Sequence, residues 1–81
     1  MEIQYLVAWS NEAGQIIERA EACREEVAAF LNTHHDRLRN VPGYTARMMV
    51  WSVADQVIVD PASAEMAELW SLATELAGGA V

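Results

Sequence analysis

The stretch that decides the fold is residues 44–59, which read YTARMMVWSVADQVIV. Residues 44–53 place their side chains alternately on two faces, which predicts a β-strand. Residues 54–56 form a candidate tight turn, and residues 57–59 a short third strand. One long, bent strand over residues 44–59 is the alternative to this hairpin. The sheet is therefore expected to be antiparallel or mixed.

Before this stretch, residues 40–43 (NVPG) end a predicted long helix. Proline disfavours helix at the residue before it, and glycine suits the turn that follows a helix. Apolar residues recur at steps of three and four from Ile16 through Cys23 and Val27 to Leu38, as they do on one face of a helix. We expect one helix from about residue 12 or 15 to about residue 40, roughly 40 Å long.

The first predicted strand covers residues 2–9 (EIQYLVAW), which alternate at period two and are rich in β-branched and aromatic residues. Its second face becomes apolar at Leu6 and Ala8, which suggests partial cover on both sides of the sheet. Residues 10–14 (SNEAG) contain turn and cap residues, so the strand is expected to end there.

The last predicted helix begins at Asp60 and Pro61, since aspartate is a good N-cap and proline suits the first helical position. It is expected to end at Gly78 and Gly79. The chain then reads as a single α+β domain over residues 1–81, in the order β-α-β-β-α. We expect a three-stranded antiparallel or mixed sheet with one long and one shorter helix packed on one face.

Composition and charge limit the classes of function that the chain can have. The chain has 81 residues, of which 53% are hydrophobic, and 12 acidic residues against five arginines give a net charge of −7. This hydrophobicity excludes a disordered chain, and the acidity argues against direct nucleic-acid binding. Cys23 is the single cysteine, the N-terminal residues lack the features of a signal peptide, and no apolar run is long enough to span a bilayer. We expect a cytoplasmic protein without membrane contact.

The acidic residues supply the first candidate site. Within the predicted long helix they crowd into two turns, and a second group lies on the last helix. They could recruit a protein partner with a basic surface or imitate nucleic-acid phosphate, although a solvated face is the simpler interpretation. The acidic candidates for partner binding are Glu18, Glu21, Glu25, Glu26, Glu65 and Glu68.

A second candidate site lies on the predicted strand of residues 44–53. Arg47, Met49 and Trp51 share one face of that strand. Tryptophan, methionine and arginine are enriched at the centres of protein interfaces. These side chains predict a sheet face that meets solvent or a partner.

Residues that could carry out a reaction are sparse. His34 and His35 are adjacent, so they do not point the same way on a helix as metal ligands at i and i+4 would. Cys23 lies on an apolar stripe, where a cysteine is usually inert. We find no phosphate-binding loop and no nucleophile motif. We therefore predict no catalytic residues, no metal and no cofactor, and favour a binding protein over an enzyme.

The element order and the segment Val41-Pro42-Gly43-Tyr44 resemble the dimeric α+β-barrel group of ferredoxin-like proteins. That resemblance implies a dimer that binds or converts a small molecule, with His34, Tyr44 or Arg47 near its pocket. Such domains end with a fourth strand, for which only residues 77–81 remain, so no active-site residue is transferred. The order is also similar to that of a KH domain, but the G-x-x-G loop is missing.

In size, acidity and lack of reaction motifs, the chain resembles small inhibitor proteins of phages and mobile elements, including anti-CRISPRs. The leading expectation is a non-enzymatic protein-binding module that uses acidic helix surfaces and an aromatic and methionine-bearing sheet face. An inhibitor of this kind is one form that such a module can take. The alternatives are the small-molecule dimeric barrel and a structural subunit of a larger complex. A homodimer is a further possibility.

Overall fold

The structure, a computed structural model, describes residues 3–78. Within this range the chain forms one antiparallel sheet of four strands, in the order β2-β1-β3-β4, and two helices. The elements in chain order are β1 (Tyr5–Ser10), β2 (Ile16–Ala22), α1 (Arg24–Asn40), β3 (Arg47–Ser52), β4 (Val57–Ile58) and α2 (Ala64–Gly78). The predicted α+β class is confirmed. The predictions at Glu2 and Gly79 lie outside the described residues.

The predicted number of strands is wrong, because residues 16–22 form β2 and not the first half of a long helix. A tight hairpin loop sends the chain back along β1. The Asn11 carbonyl accepts a hydrogen bond from the Gly14 N–H at 3.0 Å, and Gly14 has a φ of +81°. The Asn11 side chain also accepts a hydrogen bond from the Gln15 N–H at 3.0 Å. Glycine tolerates this left-handed backbone, which is common in three-residue hairpin loops.

Helix α1 consequently starts at Arg24, after an extended Cys23. The Glu26 carboxylate accepts a hydrogen bond from the Cys23 N–H at 3.2 Å, which satisfies one of the free donors at the helix start. With 17 residues, α1 is about 25 Å long and not about 40 Å. It is therefore close in length to the seven-residue strand β2, which spans about 23 Å.

The start of α2 also differs from the prediction. Asp60 accepts a hydrogen bond from the Ala62 N–H at 2.8 Å and so stabilises the turn before the helix. The Ser63 hydroxyl accepts one from the Met66 N–H at 3.2 Å. Ser63 is therefore the N-cap, and α2 begins at Ala64. The hairpin prediction for residues 44–59 is correct, since β3 and β4 pair through Trp51 and Ser52.

The core lies between the helices and one face of the sheet. Val7 and Val50 project from the central strands toward Val27 of α1 and Leu69 of α2, and all four are almost completely buried. Trp9 packs edge-on against Phe30, with ring centroids 5.3 Å apart. The Asn32 side chain donates a 2.7 Å hydrogen bond to the Ala73 carbonyl, which ties α1 to α2. The helices therefore cover a single face of the sheet.

This core predicts a strong contrast between two leucines of α2. Leu69 is 1% exposed and Leu76 is 48% exposed. Leu69→Ala is expected to lower the free energy of unfolding by about 2–5 kcal/mol, because it leaves a cavity in the core. Leu76→Ala, the matched control, should change it by about 0.5 kcal/mol or less. Chemical denaturation of both variants measures the difference, and equal losses would contradict this packing.

Candidate functional site

The face of the sheet that points away from the helices is the candidate site, and we call it the free face. Strand register assigns its members, because residues paired across neighbouring strands point to the same side. Leu6 lies opposite Trp51 on one side and Glu21 on the other, and Ala8 lies between Met49 and Arg19. The free face includes Leu6, Ala8, Ser10, Ile16, Arg19, Glu21, Arg47, Met49, Trp51 and Ile58.

The free face contains an open, mainly apolar groove of about 580 Å³. Three of its lining side chains stay substantially exposed: Leu6 at 41%, Trp51 at 38% and Ile58 at 55%. An antiparallel sheet with helices on one side usually presents polar residues on its other side. A contiguous apolar patch of this kind is typical of an interaction site.

Charge is unevenly distributed over the free face. Arg47 pairs with Ser10 and Arg19 with Ala8, so both arginines lie toward one end of β1. Glu21 pairs with Leu6, nearer the other end. The face thus carries two cations and one anion, although the chain as a whole has a net charge of −7. Among residues 3–78 the ion pair present is Arg24–Glu68, at 3.8 Å, so neither arginine of the free face is neutralised by a salt bridge.

The second predicted site therefore keeps its three residues together. Arg47 and Trp51 are exposed and Met49 is half-buried, all on the free face. Sequence reasoning missed Leu6, Arg19 and Ile58 as their neighbours. The apolar second face of the first strand, at Leu6 and Ala8, was the signal that could have found part of this set. Arg19 was missed because residues 16–22 were assigned to a helix.

The six acidic candidates, in contrast, do not form one helix surface. Glu18 and Glu21 lie on β2, and on opposite faces of it, since Glu18 pairs with Trp9 and Glu21 with Leu6. Glu25 and Glu26 lie in the first turn of α1. The remaining two, Glu65 and Glu68, belong to α2. The prediction that Glu18, Glu21, Glu25 and Glu26 lie along one long helix is therefore wrong, because residues 16–22 form a strand.

Several of these carboxylates have local structural partners. The hydrogen bond from the Cys23 N–H lowers the pKa of Glu26. Glu65 accepts a 3.4 Å hydrogen bond from the Tyr5 hydroxyl. Burial, together with the nearby Glu65 carboxylate, raises the pKa of Tyr5. Glu68 pairs with Arg24, and this pair is exposed. These contacts stabilise the start of α1 and connect α2 to both α1 and β1.

The small-molecule alternative predicted His34, Tyr44 and Arg47 around a pocket. His34 Nδ1 and Tyr44 Oη are 3.1 Å apart and share a hydrogen bond, with ring centroids at 5.7 Å. Burial, together with nearby Arg37 and His35, lowers the pKa of His34. Arg47 lies on the free face, across the sheet from α1. The structure therefore joins His34 to Tyr44 but separates both from Arg47.

Clusters of metal-ligating side chains and membrane-spanning helices are both missing from residues 3–78. Residues 3–78 contain no cluster of three or more histidine, cysteine, aspartate or glutamate side chains that could hold a metal ion. None of the described helices combines the length and apolar character needed to cross a membrane. No protein-family model, curated protein or solved structure matches this chain.

The burial of His34, which lowers its pKa, predicts a pH dependence of stability. A folded-state pKa below the unfolded value means that the unfolded chain binds more protons, so stability rises with pH. The His34 contribution is then present above the unfolded pKa of about 6.5 and is lost as pH falls toward the folded value. His34→Gln should flatten the change in melting temperature between about pH 7.5 and 5.5. His35→Gln should keep most of the slope, because His35 is the smallest of the three causes of the lowered His34 pKa. A slope unchanged by His34→Gln would contradict a contribution of His34 to the pH dependence.

Proposed function

We propose that this protein is a non-enzymatic protein-binding module whose docking surface is the free face of its sheet. The observation that carries the proposal is the open apolar groove beside two arginines that have no ion-pair partner among residues 3–78. Trp51 lies in this groove, and tryptophans in such positions often dominate binding energies. Binding there would bury apolar surface that the fold leaves in contact with water.

The groove also favours a particular kind of partner. It is concave and open, so a convex element fills it better than a flat surface does. An α-helix, about 10–12 Å across, is the common apolar occupant of such grooves. Arg47 and Arg19 at one end favour carboxylates on the flank of that helix. We infer a partner that presents an amphipathic helix with an apolar stripe and acidic flanks.

The proposed consequence of binding is occlusion. A module that covers the apolar stripe of another protein's helix removes that stripe from its usual contacts. This is an inhibitory mode of action that needs no reaction chemistry. Occlusion is thus a form of inhibition in which the free face of the sheet, and not the acidic helices, makes the main contact.

The helical layer offers a second candidate surface, for a partner with a basic surface. A shallower groove of about 360 Å³ runs between the start of α1 and α2, lined in part by Arg24, Glu68 and Glu75. Glu25 and Glu65 lie on the same two helices, in their first turns. This surface lies across the sheet from the free face, so one small partner element cannot occupy both.

The primary test uses two synthetic amphipathic helical peptides with the same leucine stripe, one with glutamate flanks and one with lysine flanks. The glutamate peptide is expected to bind, with NMR shift changes concentrated on the free face. Trp51→Ala should weaken this binding by about 2 kcal/mol or more, roughly 30-fold. Trp70→Ala is the matched control, because Trp70 is 39% exposed on α2 while Trp51 is 38% exposed on β3. Equal losses for both variants would contradict the proposal.

A charge test separates the two surfaces. Arg47→Glu should reduce the affinity of the glutamate peptide and raise that of the lysine peptide, because it inverts the charge beside the groove. The double change Glu25→Lys and Glu68→Lys should leave both affinities within about twofold. If the lysine peptide binds the unchanged protein more tightly, and this double variant abolishes the binding, the helical layer is the docking surface and the free-face proposal fails.

A further inference from the structure

Strand β2 forms one edge of the sheet and is the longer of the two edge strands. It has seven residues, whereas β4 at the opposite edge has two. An edge strand presents unpaired backbone N–H and C=O groups that can pair with another strand. A very short edge strand such as β4 offers too few backbone groups for another strand to pair with. A further strand can therefore add at β2.

The charges of β2 restrict what can pair with it. Its exposed residues include Glu18, Arg19 and Glu21, and side chains directly opposite each other in an antiparallel pair interact strongly. A second copy of β2 related by a two-fold axis through Glu18, Arg19 or Glu21 would place that residue opposite its own copy. Each of those three registers sets like charge against like charge.

The register centred on Ala20 has the opposite property. It places Ala20 against the Ala20 of the second copy, which is small and half-buried. It also places Arg19 opposite Glu21 of the second copy, and the symmetry repeats this pair on the other side of the axis. Both residues point to the free face, so their side chains meet on the same side of the joined sheet. Five residues of each strand, 18–22, overlap in this register.

We propose that β2 pairs antiparallel with β2 of a second copy of this chain, with the two-fold axis at Ala20. The two sheets then join into one continuous sheet of eight strands, with all helices on one side. The two free faces lie side by side on the other side, with their Trp51 residues about 24 Å apart, since five strand spacings separate them. In this dimer Arg19 pairs with Glu21 of the second copy. Arg47, on β3, lies away from the junction and is then the arginine that attracts a carboxylate to the groove.

The test is the oligomeric state of the full chain, measured by light scattering and sedimentation over a range of micromolar concentrations. The unchanged protein is expected to form a dimer. Arg19→Glu and Glu21→Arg, made separately, should each weaken the dimer by about tenfold or more, because each converts two attractive cross-strand pairs into two repulsive ones. A monomeric unchanged protein at all concentrations would overturn the proposal.

Recovery experiments exclude a simple loss of folding. The double variant Arg19→Glu with Glu21→Arg restores opposite charges and should dimerise like the unchanged protein. Mixing the two single variants should also form a heterodimer, since one strand then carries two carboxylates and the other two guanidiniums. Failure of both recoveries would overturn the register. Because these residues are exposed, circular dichroism should show the single variants folded.

A last control separates this dimer from the docking function. Trp51→Ala should leave the dimer intact, because Trp51 lies on β3, two strands away from the junction. If this variant becomes monomeric while the charge variants stay dimeric, the second copy sits on the free face and the edge proposal is wrong. The dimer does not rest on the proposed function, because Trp51→Ala is expected to lose peptide binding and keep the dimer, so each claim can fail without the other.

Discussion

The whole structure depends on the position of β1, which is paired with β2 on one side and with β3 on the other. One row of its side chains, centred on Val7 and Trp9, is buried beneath α1 and α2. The other row, Leu6 and Ala8, faces away from both helices. Because α1 and α2 pack side by side on the same face, the chain has no described element left to cover this second row. The exposed apolar groove is thus a direct consequence of the topology.

The sequence predicts the fold correctly in segments whose apolar residues fit only one period, either that of a helix or that of a strand. The strand of residues 5–10, the β3–β4 hairpin and the two helix ends near Asn40 and Gly78 agree with their patterns. Residues 16–22 fit two periods at once. Ile16, Ala20 and Cys23 are spaced like a helix face, while Ala20 and Ala22 are spaced like a strand face. Local sequence cannot distinguish a helix from a strand at residues 16–22, because pairing with β1 is a tertiary interaction that overrides helix propensity.

Two local signals did favour the strand. Ile16 and Ile17 are adjacent β-branched residues, which suit a strand better than a helix. Gly14 sits where a left-handed residue closes the hairpin loop, with a φ of +81°. Neither signal outweighs the helix-forming residues of the segment 18–31, which reads ERAEACREEVAAFL. The glutamates of this segment were therefore assigned to one helix surface. The prediction of the site on β3 did not require residues 16–22 to be assigned correctly. Arg47, Met49 and Trp51 share a face because side chains alternate along a single strand.

The corrected topology also changes how the charge of the molecule should be understood. With residues 16–22 in a strand, Arg19 moves beside the apolar groove and Glu21 comes two residues along the same face. Carboxylates on α1 and α2 remain on the helical layer, where Glu26 and Glu68 already have partners. The protein therefore presents two chemically different sides: an acidic helical side, and an apolar sheet side that carries arginine. A partner that is attracted to one side is poorly matched to the other. Each side therefore selects a partner of different charge and shape.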